Sequence, residues 1–440
     1  MSLPSADTIL DRLAPLGMRL SLEPFRRLLA KLGDPQRELP AVLVAGTNGK
    51  GSTAALLAGI GCAAGYRTGL YTSPHLEEPR ERIRIDGLAL PTLELDRLLG
   101  LVVDAADDEL PTPFEALTAA AFVAFAEANV ELAVLEVGLG GRLDATNAAE
   151  PLLSVITEIA FDHQEQLGST LAAIAAEKAG VMRASQPAIA WGAEPESTAA
   201  LQAAARACGT ELTLANEEAE IVRAQADGLT GQLVELRTHE ASYVLRLPLA
   251  GRHQQRNLAL AVLAAERLAT LGYERIDATA IEHGVAGCRW PGRLEAVALP
   301  NGTTVLLDGA HNAAGAEALA EHLRTLDTPW NLVFGTLEDK DAAAMATALV
   351  GASRVFLAPP DSPRALPLAD LSAIPALAAA VPCSNASQAL ERSIETNLPL
   401  VVVAGSLYLV GEARHWLRQR YDVPPAAPDL ATWSPPTGVS

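Results

Sequence analysis

At 440 residues, 49% of them hydrophobic and 20% charged, the chain carries enough apolar material for two or three packed domains, which excludes a disordered or fibrous protein. Its formal net charge of −20 opposes general binding to nucleic acid or to an anionic membrane surface. No apolar run reaches about 18 residues without a charge or a glycine, so no membrane span is expected.

The first 39 residues read as introductory helices, with Leu10, Leu13 and Leu16 and then Phe25, Leu28, Leu29 and Leu32 at helical spacing; a packed helix pair accounts for most of them. Residues 41 to 45 form a short apolar run, expected as a buried strand. It breaks into Gly46, Gly49 and Gly51 before a helical stretch at 54–58. Strand, glycine turn, helix is a phosphate-binding arrangement. Glycines let backbone N–H groups approach a phosphate chain, the helix N-terminus adds partial positive charge, Lys50 reaches the outer phosphates, and Ser52 or Thr53 offers a hydroxyl to Mg²⁺. The spacing is unusual, since two residues separate Gly46 from Gly49 and Gly51 interrupts the Lys-Ser pair.

A second short strand from Gly69 ends in a polar turn holding Ser73 and His75, which either face the phosphates or cap the turn. Arg80, Arg82 and Arg84 alternate along what reads as an extended segment, placing three cations on one face that is either solvated or able to hold a carboxylate. A helix is expected from Pro113 to about Ala128. Residues 132 to 136 repeat the strand pattern and end on Glu136, where a Mg²⁺ ligand beside a phosphate loop is expected. His163 follows a further strand and is either a second metal ligand or a capping residue. Glu177 and Lys178 close a helical run, and residues 187–191 read as another strand.

Five strand–helix alternations point to a mostly parallel, doubly wound sheet. Residues 211–249 change character and predict a small antiparallel meander, followed by a helix from about His253 to Leu271 with Asn257 in its first turns. The alternation pauses at residues 288–293 and resumes with strands near 305–307, 332–335, 355–358 and 401–405, a second, smaller α/β domain. The expected division is 1–292, 293–425 and a loose proline-rich tail over 426–440.

Cys62, Cys208, Cys288 and Cys383 are scattered without metal or disulfide spacing, and Asp7 and Asp11 stand where a signal peptide would be basic, so a reducing cytoplasm is expected. Lysine occurs only at positions 31, 50, 178 and 340. In a chain that otherwise uses arginine, a lysine points either to a place for a compact ammonium or a deprotonatable amine or to codon bias, and three of the four fall in the motifs below.

These motifs in order resemble the folylpolyglutamate synthase and dihydrofolate synthase family, relatives of the Mur ligases: Gly46 to Ser52, Thr72 to Leu76, Glu81 to Ile85, Glu136 to Asn147, Asp162-His163, Glu177 to Gly180, Pro291 to Arg293, Asp308 to Asn312, Asp339 to Asp341 and Gly405-Ser406. The resemblance covers nearly the whole chain. It implies a Mur-ligase-like α/β fold, a P-loop ATPase domain followed by a smaller Rossmann-like domain, and an ATP-dependent ligase. Such an enzyme joins L-glutamate to dihydropteroate or to a folate γ-carboxylate through an acyl phosphate. Carried over by position, Thr47, Asn48, Gly49, Lys50, Gly51 and Ser52 hold the phosphates, and Asn257, Arg293 and Asp308 meet the nucleotide across the domain cleft. Ser52, Ser73, Glu136, His163 and Lys178 are the metal set, with Lys178 matching a lysine that the family carbamylates. Thr112, Pro113, Phe114, Glu115, Leu143, Asp144, Ala145 and Arg82 form the substrate side, and Lys50, Lys178, Asp308 and His311 the catalytic set. ATP and Mg²⁺ are the implied cofactors, two ions being expected with a monovalent cation as an option, and the family implies a monomer acting on small molecules. Ala313 departs from the family, which commonly has proline after Asn312.

Two other readings remain. A Mur-type peptide ligase would share the loop and the second domain, but with 45 residues before Gly46 no separate amino-terminal domain is expected. A nucleotide-binding regulator without catalysis is the other; the presence of Lys50, Glu136, His163 and Lys178 argues against it.

Overall fold

The apolar run Ala41–Ala45 is buried at every residue and forms β1, in the interior of an eight-stranded sheet. The computed structural model describes residues 4–229 and 231–427. The other strands of this sheet are β2 (Thr68–Tyr71), β3 (Ile83–Ile85), β4 (Leu88–Ala89), β5 (Leu132–Glu136), β6 (Pro151–Ile156), β7 (Ala188–Ala190) and β8 (Leu212–Leu214), in the order β4-β3-β2-β5-β1-β6-β7-β8. From β2 to β8 the pairings are parallel, while β3 and β4 add an antiparallel edge.

Strand alternation sends Leu43 into a core with Phe122 and Phe125, and Val42 and Val44 into a second core with Leu56, Leu57 and Leu260. A central strand buried on both faces has no polar face to show, which is why β1 reads as an unbroken apolar run. Helices on both sides leave the carboxyl ends of β1, β5 and β6 as the open edge where such sheets bind ligands.

The meander is β9 (Ala219–Asp227), β10 (Gly231–Thr238) and β11 (Ser242–Leu247), antiparallel throughout. Val234 and Leu236 of β10 pack inward on the helix Arg252–Thr270, and Leu233 and Glu235 face out. The meander begins at 219 rather than 211. Leu212–Leu214 pairs parallel with β7 instead, because its leucines extend the large sheet's core.

A six-stranded sheet follows, from β12 (Glu295–Ala298), β13 (Thr304–Leu307), β14 (Trp330–Phe334), β15 (Val355–Leu357), β16 (Val381–Pro382) and β17 (Leu400–Ala404), in the order β12-β13-β17-β14-β15-β16. The four interior strands match the expected series; the short edges β12 and β16 carry too little pattern to be seen in sequence. The buried Arg414 of the helix Leu407–Arg420 joins the two units. Its guanidinium donates to Glu295 of β12 and to the buried carboxylate of Glu77, which Arg418 also holds at 2.5 Å.

Two expectations fail here. Arg80, Arg82 and Arg84 do not share one extended face: Pro79–Arg82 is a 3₁₀ turn, closed by a capping box between Glu78 and Glu81, and only Arg84 lies on β3. Arg82 then donates to Nδ1 of His75 (3.0 Å), and Arg84 is buried over the Trp290 ring at 4.9 Å. The expected loose tail over 426–440 is packed at its start, where Ala426 and Ala427 are buried, and just before it Pro424 accepts from Arg414 at 2.7 Å; residues 428–440 lie outside the described residues. Among the described residues, no helix is long and apolar enough to cross a membrane.

Candidate active site

The turn after β1 is fixed by close approach. Gly46 has φ of 141°, and a Cβ there would lie 1.8 Å from Oγ1 of Thr157; at Gly49, with φ of 86°, it would lie 2.2 Å from Oδ1 of Asn257. Neither position admits a side chain. The helix Lys50–Ala63 starts at Gly49 with no side-chain cap, so its first N–H groups are left for a ligand. Lys50 rests its Nζ on the carbonyl of Thr47 at 3.0 Å.

Residues Gly46 to Ser52 line a cavity of about 200 Å³ that also gathers Ser73, Glu136, His163, Lys178, Asn257, Arg293, Asp308 and His311. Glu136 ends β5 and accepts from the backbone N–H of Ser73 at 3.0 Å. Burial pushes its pKa up, against the pull of Lys50 and that N–H. Lys178, at the end of the helix Leu171–Ala179, donates to the carbonyl of Gly46 at 2.7 Å. Burial, and then the charge of Lys50, push its amine down to about 7, so a neutral, nucleophilic amine is accessible near neutrality. His163 has φ of 49° and caps a short helix; burial drives its imidazole down to about 4 and keeps it neutral.

The five residues Ser52, Ser73, Glu136, His163 and Lys178 therefore share one cavity. Among the described residues, no group of three or more His, Cys, Asp or Glu side chains stands ready to hold a metal. Mg²⁺ does not need one, since it is commonly held by one or two carboxylates together with phosphates and water. A buried carboxylate at the phosphate loop is costly without a cation, so Glu136 fits that ion.

The second unit supplies the far wall. Asp308 accepts from the N–H groups of Leu294 (3.0 Å) and Ala310 (2.9 Å), locking the end of β13 against the segment holding Arg293. Burial raises Asp308 and lowers Arg293, while their mutual attraction favours both charges. Asn257 accepts no such charge; its amide donates to Gln254 at 2.8 Å. Nδ1 of His311 lies 2.8 Å from the Gly309 carbonyl, which assigns the proton to Nδ1 and leaves Nε2 as an acceptor.

A second cavity of about 400 Å³ adjoins the first, and Ser73, Pro74, Leu139, His163 and His311 belong to both. Thr112, Phe114, Glu115, Leu143, Asp144, Ala145 and Arg82 line it. Pro113 is not among the lining residues; it opens the helix Pro113–Glu127. Two of the lining carboxylates are already committed. Glu115 closes a capping box with Thr112, and Asp144 accepts from Leu139 and Thr146, so both shape the wall.

Residues 17–22 form another wall of this cavity, which the reading of a packed helix pair did not anticipate. Nor did it give a role to Lys340, Asp162, Asn312 or Arg364. Nζ of Lys340 donates to Oδ1 of Asp162 at 2.6 Å and lies 3.4 Å from Nε2 of His163, and Arg364 stands at the mouth, 3.8 Å from Asp339. The available signal for Lys340 was its rarity as a lysine beside two aspartates.

A glycine phosphate loop, a strand-end glutamate and a second α/β unit lending arginine and aspartate across the cleft are the arrangement of the Mur ligase class of two-domain proteins. The Mur ligase middle domain matches residues 44–265, and the Mur ligase glutamate ligase domain residues 292–407. The chain is 35% identical to the dihydrofolate synthase/folylpolyglutamate synthase of Bacillus subtilis, over 91% of this chain and 96% of that protein. It is 38% identical to a probable bifunctional folylpolyglutamate synthase/dihydropteroate synthase of Haloferax volcanii over 90% of this chain and 48% of that one, spanning about half its length. The folylpolyglutamate synthase of Mycobacterium tuberculosis complexed with ADP and AMPPCP superposes with a TM-score of 0.84 at 32% identity, covering 93% of this chain and 96% of that chain. The chain belongs to the folylpolyglutamate synthase/dihydrofolate synthase family.

Proposed function

We propose that this chain joins L-glutamate to the carboxylate of dihydropteroate, to the γ-carboxylate of a folate, or to both, with ATP converted to ADP and phosphate. The observation that carries this reading is the shared wall of the two cavities. An acceptor lying in the larger one brings its carboxylate to Ser73 and His311, where it meets a γ-phosphate seated on the loop.

Two steps follow from that placement. A carboxylate oxygen of the acceptor attacks the γ-phosphorus, the bond to the ADP oxygen breaks, and an acyl phosphate forms. The amine of glutamate then attacks the acyl carbon and phosphate leaves, carrying the bonding electron pair. Phosphoryl transfer asks for positioning and charge neutralisation. The helix N-terminus after Gly49 and the ammonium of Lys50 face the phosphates, and Arg82, oriented by His75, offers a cation to the acceptor carboxylate. Nε2 of His311 is a proton acceptor in the wall where the amine arrives. Glu136, Ser52, Ser73 and His163, with Lys178 once its amine is carbamylated, would hold Mg²⁺, which neutralises phosphate charge when bound. We assign residues 1–292 and 293–425 to the two functional units and read the enzyme as a cytoplasmic monomer acting on small molecules, a reading that the net charge of −20 supports against nucleic-acid or membrane partners.

Hydroxylamine trapping tests the reaction. With ATP, acceptor and hydroxylamine but no glutamate, the acceptor hydroxamate is expected. Its absence, while ADP still forms, would contradict the acyl phosphate.

A further inference from the structure

We propose that Asp162 is a positioning residue, a carboxylate through which the first unit sets the glutamate side of the cleft. The inference rests on the ligase reading above. Its side chain is 9% exposed and lies between β6 and the short helix capped by His163. Two donors of the second unit converge on it, with a histidine ring nearby. Oδ1 accepts from Nζ of Lys340 at 2.6 Å, Oδ2 accepts from Nδ2 of Asn312 at 3.2 Å, and Nε2 of His311 stands 3.7 Å from Oδ2.

These groups come from two loops, the one after β13 and the one after β14, so one carboxylate of the first unit bonds to both. Asn312 extends the linkage to the phosphate side. The same Nδ2 donates to Oδ1 of Asn48 in the glycine turn at 2.9 Å, and its Oδ1 caps the helix Ala313–Arg324 through the N–H of Gly315 at 2.9 Å. The turn that holds ATP, the helix beside it and the wall that meets the amine therefore share one hydrogen-bonded chain.

The charge of Asp162 is what the arrangement requires. Lys340 is 6% exposed and has given up its water, and its other acidic neighbour, Asp339, is more distant at 3.5 Å and more exposed at 37%. An ammonium buried in this way needs a close anion to stay where it is. Asp162 touches no reacting atom in the proposed scheme. Its part is to keep Lys340 and Asn312 in register with the phosphate loop when the amine arrives.

The test is Asp162→Asn, which keeps the shape and removes the charge, combined with Lys340→Met in a double-mutant cycle on kcat. Misplacing a wall by about 1 Å costs about a hundredfold. A loss of that order is expected in kcat, with KM for ATP changed by less than about threefold, the pattern of an interaction realised beyond substrate binding. Lys340→Met should cost less in the Asp162→Asn background than in wild type, because the two side chains share the Nζ–Oδ1 contact. Losses that simply multiply, or a kcat within twofold of wild type, would overturn the proposal. Should Asp162→Asn fail to fold, Asn312→Ser cuts one arm and leaves the ion pair; a lowered kcat with unchanged melting temperature supports the linkage, and unchanged kcat overturns it. Small-angle scattering gives a readout independent of activity. Asp162→Asn is expected to be more extended than wild type, and a superimposable profile overturns the anchor even if the wild type shows no ligase activity, an outcome that would count separately against the ligase reading.

Discussion

The two walls of the cleft are built on different principles. The phosphate wall is one continuous stretch, β1, the glycine turn and the helix Lys50–Ala63, and its shape is written into the backbone by Gly46 and Gly49. The opposite wall is assembled from residues 17–22, Lys340 and Arg364, far apart in sequence, and its contact across the seam is the pairing of Lys340 with Asp162, joined by the hydrogen bond from Asn312. A backbone-defined wall should fail only when its own atoms change. A charge-defined wall should fail whenever any partner in its network is lost.

Lys50→Ala is the strongest way to break the first wall. It should lower turnover on the order of a thousandfold, the scale seen when a preorganised charge donor is removed, and leave the melting temperature near wild type because the hydrogen bond that Lys50 makes among the described residues is the one to the carbonyl of Thr47. Near-normal ADP release in that variant would remove the loop from the chemistry. Lys178→Arg should cost on the order of a hundredfold, because a guanidinium is larger, does not deprotonate and cannot be carbamylated as the family's lysine is, while Lys178 sits buried with its amine at about 7. A wild-type rate with arginine there would show that Lys178 is only a strut to Gly46.

The seam between the units sharpens the contrast. Glu77→Gln leaves the buried Arg414 and the adjoining Arg418 short of an anion and should destabilise the protein by about 3 kcal/mol, read from denaturant melts. No change in midpoint would mean that Glu295 alone satisfies Arg414.

The smallest expected effect is a pH dependence. Burial holds His253, in the wall of the phosphate cavity, down to about 4 from an ordinary 6.5. Between those values the unfolded chain binds a proton that the folded protein refuses, so the histidine's contribution is intact above 6.5 and is lost as pH falls toward 4. The stability of wild type relative to His253→Gln should therefore fall when pH is lowered from about 7.5 to about 4.5. A difference that stays constant would show that His253 titrates normally.

The same contrast explains what the sequence made legible. β1, β5 and the glycine turn announce themselves because a strand buried on both faces is continuously apolar and a turn with positive φ excludes side chains. The alternating arginines misled because Pro79 and the Glu78–Glu81 capping box impose a 3₁₀ turn that no period-2 pattern reveals. Leu212–Leu214 was drawn into the meander because three residues carry no periodicity, and their partner β7 decides their place. Residues 17–22 became a cavity wall through tertiary packing, and Lys340 found Asp162 across 178 positions of sequence, so neither had a local signal beyond lysine's scarcity.

The most direct measurement is ADP release by the purified protein with Mg²⁺-ATP and L-glutamate, offering 7,8-dihydropteroate in one reaction and tetrahydrofolate in another. The account predicts release that requires glutamate and at least one of these acceptors. Turnover with both would define a bifunctional enzyme, and turnover with one would assign the acceptor. Silence with both, from folded protein that binds ATP, would contradict the central claim.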